Sequence, residues 1–274
     1  METKEGAEMM DSISLNQGTL TTPAENETNT RFTDPTVFAL DHAIKNGEQW
    51  EGNIPRAYLD PGGHPHAGIG FLLSKNGVPH AGNLEKIKRH LMQSTGNEEQ
   101  AAAIYDAMLA QGEELQKYRA DAIHRLGKRG GQKELQRYQY SDEWVGRAVQ
   151  LPDDVTQGVF RELMQEKQKE VLNLYEDVNL NYLQMSVLMD LQFQGPALIK
   201  KNTRFYKAVT DPAGPRWHDA IWEVLYDSGY TCNRNRGRAE ELDRSLPNGD
   251  GDLTKYPLRP FPPGVSSNFR SPCA

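Results

Sequence analysis

A glycine- and proline-rich stretch from Tyr58 to Leu73 interrupts a chain whose other apolar residues mostly recur at helical spacing. Its sixteen residues include four glycines and two prolines. They exclude a continuous helix, because glycine costs free energy in a helix interior and proline removes a hydrogen bond there. Asp60-Pro61-Gly62-Gly63 has the composition of a tight turn between two extended segments. The stretch therefore predicts a small β-hairpin that the helices have to accommodate.

Helical periodicity predicts α-helices on both sides of this hairpin. The first begins at Asp34 or Thr36 and runs toward Trp50-Glu51. Later helices are expected over residues 83–95, 97 to the glycines at 127–131, 151–172 and 182–193, with residues 74–82 as a loop or third strand. The helix over 182–193 is strongly apolar and is expected to be the central buried one. Shorter helical turns follow, up to an Arg-rich segment at 233–244.

Composition divides the chain into three parts. Residues 1–35 are rich in Thr, Asn, Glu and Ser and predict a disordered or loosely attached leader. Residues 36–245 are expected to form the folded domain. Residues 246–274 hold six prolines with little periodicity and predict a surface tail.

The distribution of charge excludes some partners. The formal net charge is −7, and residues 1–36, with two basic and seven acidic residues, carry −5 of it. The remaining near-neutral body lacks the basic face that a nucleic-acid partner requires. No run approaches the roughly 18 apolar residues of a membrane-spanning helix, so we expect no stable membrane insertion. The N-terminus lacks the basic and apolar regions of a secretory signal, so synthesis in the cytoplasm without a signal peptide is expected.

The sequence predicts no metal site. Cys232 and Cys273 either pair or remain free thiols, and neither lies in a Cys-x-x-Cys or Cys-x-x-His motif. Residues 248–252 resemble the start of a calcium loop, but Leu253 and Arg259 occupy positions that need Gly and Glu. Three histidines are irregularly spaced and lack a supporting carboxylate pair: His64, His66 and His80. We therefore expect neither a metal nor a cofactor.

Two carboxyl groups stand where they can face each other across a cleft. Glu51 ends the first predicted helix, and Asp60 follows nine residues later on the hairpin. Cleavage of a glycosidic bond needs a protonated carboxyl that gives its proton to the leaving oxygen. It also needs a second group that stabilises the sugar cation or activates water. Different surroundings can keep the first carboxyl protonated and the second ionised.

The segment from Glu51 to Leu73 resembles the active-site segment of phage-type lysozymes, which are muramidases. That family has Glu-Gly, then Tyr-x-Asp, then Thr-x-Gly-x-Gly-x-Leu-Leu. This chain has Glu51-Gly52, Tyr58-Leu59-Asp60 and, from His66 to Leu73, His-Ala-Gly-Ile-Gly-Phe-Leu-Leu at the same spacings.

A second block supports the same resemblance. Leu188 to Gly195 is similar to the buried helix and following turn of phage-type lysozymes, and Arg216 to Ala220 and Asn235 to Arg238 resemble their last helical pieces in the same order. The resemblance covers about residues 40–75 and 151–245, which leaves residues 83–150 as a helical insertion.

The resemblance implies an α+β, lysozyme-like fold, mostly helical, with a small β-hairpin lobe, a larger helical lobe and a cleft between them. Glu51 is then the general acid, Asp60 the second catalytic group and Arg236 the arginine that pairs with Glu51. That guanidinium would favour the charged carboxyl, so burial has to oppose it. Three further residues are expected to bind substrate: Gln194, Tyr58 and Gly70.

His66 departs from the family pattern, which has Thr at this position. A hydroxyl can only orient water, whereas an imidazole can accept its proton or attack the sugar carbon. Our hypothesis is that His66 acts as base or nucleophile while Asp60 becomes mainly electrostatic, which shifts the outcome from inversion toward retention. The alternative is a solvated loop histidine beside Pro65.

The expected function is hydrolysis of the N-acetylmuramic acid–N-acetylglucosamine β-1,4 bond of peptidoglycan by a monomeric lytic enzyme. Without an export signal, the enzyme would act in the periplasm or cell wall after holin-assisted release or after injection as an antibacterial toxin. The insertion's charges are expected to be a solvated face or, alternatively, a surface for a delivery adaptor or immunity protein: Lys86, Lys88, Arg89, Lys128 and Arg129. The competing function is a non-catalytic peptidoglycan-binding or scaffold protein, and chitinase-like specificity is a third option.

Overall fold

The computed structural model describes residues 35–194, 197–225 and 232–256. The expected leader, except Pro35, lies outside these residues, as does the expected tail beyond residue 256. The question of a bond between Cys232 and Cys273 also lies outside them.

The described residues are mostly helical, with a small antiparallel β part, which agrees with the expected α+β class. The helices are α1 (Pro35–Glu51), α2 (Ala81–Thr95), α3 (Glu98–Gln139), α4 (Asp142–Arg147), α5 (Asp153–Leu174), α6 (Tyr182–Gln194), α7 (Arg204–Val209), α8 (Trp217–Leu225) and α9 (Cys232–Arg244). The strands are β1 (Ile54–Leu59), β2 (Pro65–Gly68), β3 (Phe71–Leu72), β4 (Ser74–Lys75) and β5 (Val78–Pro79). A short 3₁₀ helix covers Leu253–Lys255. No described helix is both long and apolar enough to cross a bilayer.

The predicted hairpin is confirmed. Strands β1 and β2 pair antiparallel, with Tyr58 opposite His66, and β3 adds to the far edge of β2. The turn between β1 and β2 closes where the Gly63 amide donates to the Asp60 carbonyl at 2.9 Å. Gly63 has a φ of +88°, which L-residues with a side chain rarely adopt. Strands β4 and β5 form a separate hairpin in the segment expected to be a loop or third strand.

Helix α6 is the central buried helix, as the sequence predicts. All eight residues from Gln184 to Leu191 are buried, and α1, α5 and α9 pack against this helix. Because α6 is covered by several elements, it can carry apolar residues around its whole circumference rather than on one stripe. The main hydrophobic core forms around it.

The helix that begins at Glu98 ends at Gly127, as the glycines predict, and α3 consists of two helical pieces joined at that residue. Gly127 adopts φ +73° and ψ 168°, which breaks the helix, but the chain then resumes helical structure as far as Gln139. We name residues 98–126 the first arm and residues 128–139 the second arm. The second arm folds back on the first, and this brings the rings of Tyr118 and Tyr138 into a stack with centroids 4.0 Å apart.

Gly131 permits this close approach of the two arms. A Cβ atom at Gly131 would lie 2.5 Å from the backbone nitrogen of Ile123, a contact that no side chain can make. The glycines therefore stop the first helix, as expected, and they also allow a sharp reversal into a second packed arm, which was not predicted.

Residues 83–150 hold the outer edge of the hairpin. The fully buried Trp144 of α4 donates from its indole nitrogen to the Ala57 carbonyl at 3.4 Å. Gln139 is also buried, and its side-chain oxygen accepts from the Leu59 amide at 3.0 Å. A second hydrophobic cluster joins the hairpin to this region: Leu59, Leu115, Leu135, Trp144 and Ala148. The insertion is therefore part of the domain's packing, and it fixes β1 in place.

The first residues of the expected tail are also packed. Tyr256 is buried, and its hydroxyl donates to a carboxylate oxygen of Asp243 at 2.6 Å. Lys255 forms an ion pair with the same carboxylate at 2.8 Å. The expectation of a surface tail from residue 246 is therefore wrong at Tyr256.

Trp144→Ala is expected to lower the free energy of unfolding by about 3–5 kcal/mol, because it removes a large buried side chain and leaves a cavity. Val145→Ala, one residue away and 37% exposed, is the matched control and should cost less than about 1 kcal/mol. Urea denaturation followed by circular dichroism measures both. Equal stability of the two variants would contradict the role of Trp144 in holding the hairpin.

Candidate active site

A cleft of about 880 Å³ lies between the hairpin and the helices. Residues of α1, the hairpin, α2, α5 and α6 line it, together with residues near the end of α3. Of the seven predicted site residues, six line this cleft: Glu51, Tyr58, Asp60, His66, Gly70 and Gln194.

Glu51 is the last residue of α1, at the point where the chain turns into the hairpin. Gly52 follows with a φ of +68°, and its amide donates to the Glu48 carbonyl at 3.0 Å, which closes the helix. The side chain of Glu51 is 23% exposed. Its Oε1 atom accepts a hydrogen bond from Nη1 of Arg234, which is buried on α9. The carboxyl group is therefore half-buried and oriented from a second helix.

A buried network of charges holds that arginine. Asp190 of α6 accepts from Nε of Arg234 at 3.1 Å and from Nε of Arg238 at 2.6 Å. Arg238 also donates to the side-chain oxygen of Gln194 at 2.8 Å. Burial alone would raise the pKa of Asp190, but the two guanidinium groups outweigh burial, and its pKa is lowered. Asp190 therefore stays charged and fixes both arginines, one of which orients Glu51.

Arg236 was expected to pair with Glu51, and this prediction is wrong. Its side chain is 63% exposed and pairs with Glu240 on the same helix at 3.3 Å. The arginine that contacts Glu51 is Arg234. Two positions along an α-helix correspond to a rotation of about 200°, so Arg234 and Arg236 point to nearly opposite sides of α9.

The apolar residues of α9 do not identify the correct arginine. Ala239 and Leu242 are its buried apolar residues, and they mark the face that packs on the core. Arg238 and Arg234 lie one and two turns before Leu242, but Arg236 lies about one turn before Ala239. Helical phase therefore does not separate Arg234 from Arg236, and the contacts with Glu51 and Asp190 identify Arg234.

Asp60 and His66 lie together at the end of the hairpin. The Asp60 Oδ1 atom accepts from the His64 amide at 2.7 Å, which fixes the carboxylate within the turn. The Asp60 Oδ2 atom lies 3.6 Å from Nε2 of His66, longer than a direct hydrogen bond and compatible with a bridging water. The side chains are 31% and 18% exposed, respectively. His66 is therefore not a freely solvated loop residue.

The hydrogen bond of His66 determines which of its ring nitrogens can accept a proton. Its Nδ1 atom lies 3.1 Å from the Gly70 carbonyl oxygen, and because a carbonyl only accepts, Nδ1 carries the hydrogen. In the neutral ring the lone pair is then on Nε2, the atom nearest Asp60. Burial lowers the pKa of His66, and this effect outweighs the Gly70 carbonyl and the nearby carboxylates, which raise it. The imidazole is therefore neutral at pH 7 and able to accept a proton.

Tyr58 and Gly70 complete the hairpin side of the cleft. Because Tyr58 lies opposite His66 in the strand register, both side chains project from the same face. Burial raises the pKa of Tyr58, assisted by Glu51, so the phenol stays neutral and can hydrogen-bond a hydroxyl group. Gly70 has a φ of +75°, so a side chain is disfavoured there by backbone conformation.

Residues 83–150 contribute part of the cleft wall, which was not predicted. Lys86 was expected on a solvated face, yet its side chain is 12% exposed, lines the cleft and pairs with Glu166 at 2.9 Å. Further lining residues come from the same region: Asn83, Gln136 and Tyr140. The family motif has no counterpart for them, so only tertiary packing reveals their position.

Compared with protein-family models, curated proteins and solved structures, the chain matches none of them. In the described part of the chain, no group of three His, Cys, Asp or Glu side chains is arranged to hold a metal ion.

Asp190→Asn is expected to lower the free energy of unfolding by about 3–5 kcal/mol at pH 7, because it leaves the buried Arg238 without a carboxylate and Arg234 with Glu51 alone. Asp41→Asn is the control: Asp41 pairs with Arg161 at 3.1 Å, and both side chains are more than half exposed. Such a pair contributes about 0–1 kcal/mol. Chemical denaturation measures the difference between the two variants.

The Asp190→Asn variant also tests how the contribution of Asp190 to the free energy of unfolding depends on pH. Since the folded pKa of Asp190 is lowered, its stabilisation is fully present above the unfolded value of about 3.9 and is lost as pH falls through the folded value. The stability gap between wild type and Asp190→Asn should therefore shrink in acid. A gap independent of pH would contradict the assigned charge state.

Proposed function

We propose that the chain is a muramidase that hydrolyses the β-1,4 bond between N-acetylmuramic acid and N-acetylglucosamine in peptidoglycan. The observation that carries the proposal is the meeting of Glu51, on a helix end, with Asp60 and His66, on the hairpin, in one cleft. The motif resemblance to phage-type lysozymes and the α+β fold support it, and the lysozyme-like arrangement of lobes belongs to the same proposal.

Glu51 is the proton donor in this mechanism. Arg234 is a hydrogen-bond donor only and occupies Oε1, so the acidic proton sits on Oε2. The leaving glycosidic oxygen takes that proton as its bond to the anomeric carbon breaks. The buried arginines and Asp190 keep the carboxyl in one orientation during the reaction.

The neutral His66 and the side chain of Asp60 act on the opposite side of the bond. A water molecule between Nε2 and Oδ2 gives a proton to Nε2 while its oxygen attacks the anomeric carbon. Asp60 then stabilises both the imidazolium and the positive charge that develops on the sugar. In the alternative, Nε2 itself attacks the anomeric carbon and water later releases the sugar, with retention of configuration.

In this proposal the substrate is in the cell wall, so the enzyme reaches it after release from a cell or after injection into a competitor. The charged outer face of residues 83–150 remains a candidate surface for a delivery adaptor or an immunity protein. A non-catalytic peptidoglycan-binding protein is the alternative, and the measurement of Glu51→Gln below separates the two functions.

Glu51→Gln is expected to lower kcat on purified peptidoglycan by at least about a hundred-fold, because an amide cannot donate the proton. Mass spectrometry of the released fragments measures rate and bond together, with N-acetylmuramic acid expected at the reducing end. Glu48→Gln is the matched control, since Glu48 is on the same helix and outside the cleft lining. Binding of peptidoglycan without cleavage by the wild type would favour the non-catalytic alternative.

His66→Thr is expected to lower kcat by about a hundred-fold. The pKa of His66 in the folded protein is lowered. In the wild type the acidic limb of the pH profile of kcat/KM should therefore lie below about pH 6.5. That limb should disappear in the variant. His64→Thr, outside the cleft lining, should keep both the rate and the limb.

Proton NMR of the first-formed anomer distinguishes the two roles of His66, with inversion for a base and retention for a nucleophile. Full activity of His66→Thr with a purely inverted product would remove any special role for the imidazole.

A further inference from the structure

A second pocket, of about 520 Å³, opens beside the cleft and is strongly basic. It lies where the two arms of α3 meet the turn of the hairpin. Four cationic side chains line it: Arg119 from the first arm, and Arg129, Lys133 and Arg137 from the second arm. Asp60 is the one carboxylate among the described residues of its lining. We name this site the basic pocket.

The cations of the basic pocket form no ion pairs within the described part of the chain. Other arginines of this region are paired, Arg125 with Asp121 and Arg147 with Glu114. Among the described residues, none of the four pocket cations forms an ion pair. The Nε atom of Arg119 is buried and has no hydrogen-bond partner, which is costly in a folded protein.

The arrangement of these cations costs helix stability. Arg129, Lys133 and Arg137 recur every four residues, so they share one face of the second arm, and like charges at this spacing repel each other. The guanidinium of Arg119 packs on Gly63, where a Cβ atom would lie 2.6 Å from its central carbon. Two arms and a turn therefore converge to hold four positive charges around a concave site, although residues 37–274 as a whole carry a slight negative charge.

The basic pocket adjoins the cleft. Three residues line both: Asp60, Pro61 and Gln136. A substituent of a sugar bound in the cleft can therefore reach the basic pocket. In peptidoglycan the lactyl group of N-acetylmuramic acid carries a stem peptide, whose free carboxylates suit arginine and lysine donors.

We propose that the basic pocket binds carboxylates of the stem peptide, so that the enzyme selects peptide-bearing glycan over bare glycan. The proposal rests on the muramidase function and adds a recognition site formed by residues 83–150. Phosphate groups of wall polymers share the anionic chemistry, and the experiments below distinguish the two sources.

The test compares glycan strands that carry stem peptides with the same strands after an amidase has removed the peptides. In the triple variant Arg129→Gln, Lys133→Gln, Arg137→Gln, KM for peptide-bearing strands should rise about ten-fold, since charged hydrogen bonds are lost. KM for bare strands and kcat should stay unchanged. All three residues are exposed, so the variant is expected to fold.

The matched control removes three exposed cations of α3 that do not line the pocket: Lys117→Gln, Arg125→Gln and Lys128→Gln. It loses the same charge and should keep the wild-type KM on both substrates. An equal change of KM on both substrates in the pocket variant, or no change on either, overturns the inference. A rise in KM that is confined to walls carrying phosphate polymers also overturns the inference, because such a result assigns the pocket to phosphate.

Direct binding keeps this test separate from that of the muramidase function. The free stem peptide should bind the wild type but not the pocket variant in isothermal titration calorimetry, and a peptide with amidated carboxylates should bind neither. If the wild type cleaves no glycan, the muramidase proposal fails, and this titration still decides the pocket. Equal binding of the free peptide to both proteins, or to neither, rejects the pocket.

Discussion

The candidate site depends on the buried carboxylate of Asp190 and the two arginines that surround it. Removing such charges from water is expensive, and a buried ion pair gains back that cost only when its geometry and additional hydrogen bonds are good. Here Asp190 bonds Arg234 and Arg238, which in turn bond Glu51 and Gln194. The network connects three helices, so a shift of any one of them disturbs the proposed acid.

The second constraint is the support of the hairpin. Its inner face presents Tyr58 and His66 to the cleft. The side chains of Gln139 and Trp144 hold its outer edge through hydrogen bonds to the backbone of β1. A short hairpin is marginal in isolation, so the packing of residues 83–150 lets it hold catalytic groups in a fixed position. In the same region the second arm of α3 forms one wall of the basic pocket. Residues 83–150 therefore both support the hairpin and form the proposed binding site for the stem peptide.

The parts of the fold that were predictable depend on local chemistry. The turn at Asp60–Gly63 and the apolar run of α6 each specify their structure within a few residues, and six of the seven predicted site residues line the cleft. The failures involve distant contacts. Gly127 ends a helix as predicted, but the second arm that folds back after it was not predicted, because its position depends on packing against the first arm. Lys86 was expected on a solvated face, but it forms an ion pair with Glu166 of α5 and lies in the cleft wall.

A crystal structure of Glu51→Gln with a bound peptidoglycan tetrasaccharide would test the central claim most directly. The account predicts sugar rings in the cleft, the scissile oxygen within hydrogen-bonding distance of the side chain at position 51, and Asp60 and His66 on the opposite side of the anomeric carbon. A saccharide bound elsewhere on the protein, or one in the cleft whose glycosidic oxygen lies beyond the reach of residue 51, would contradict it.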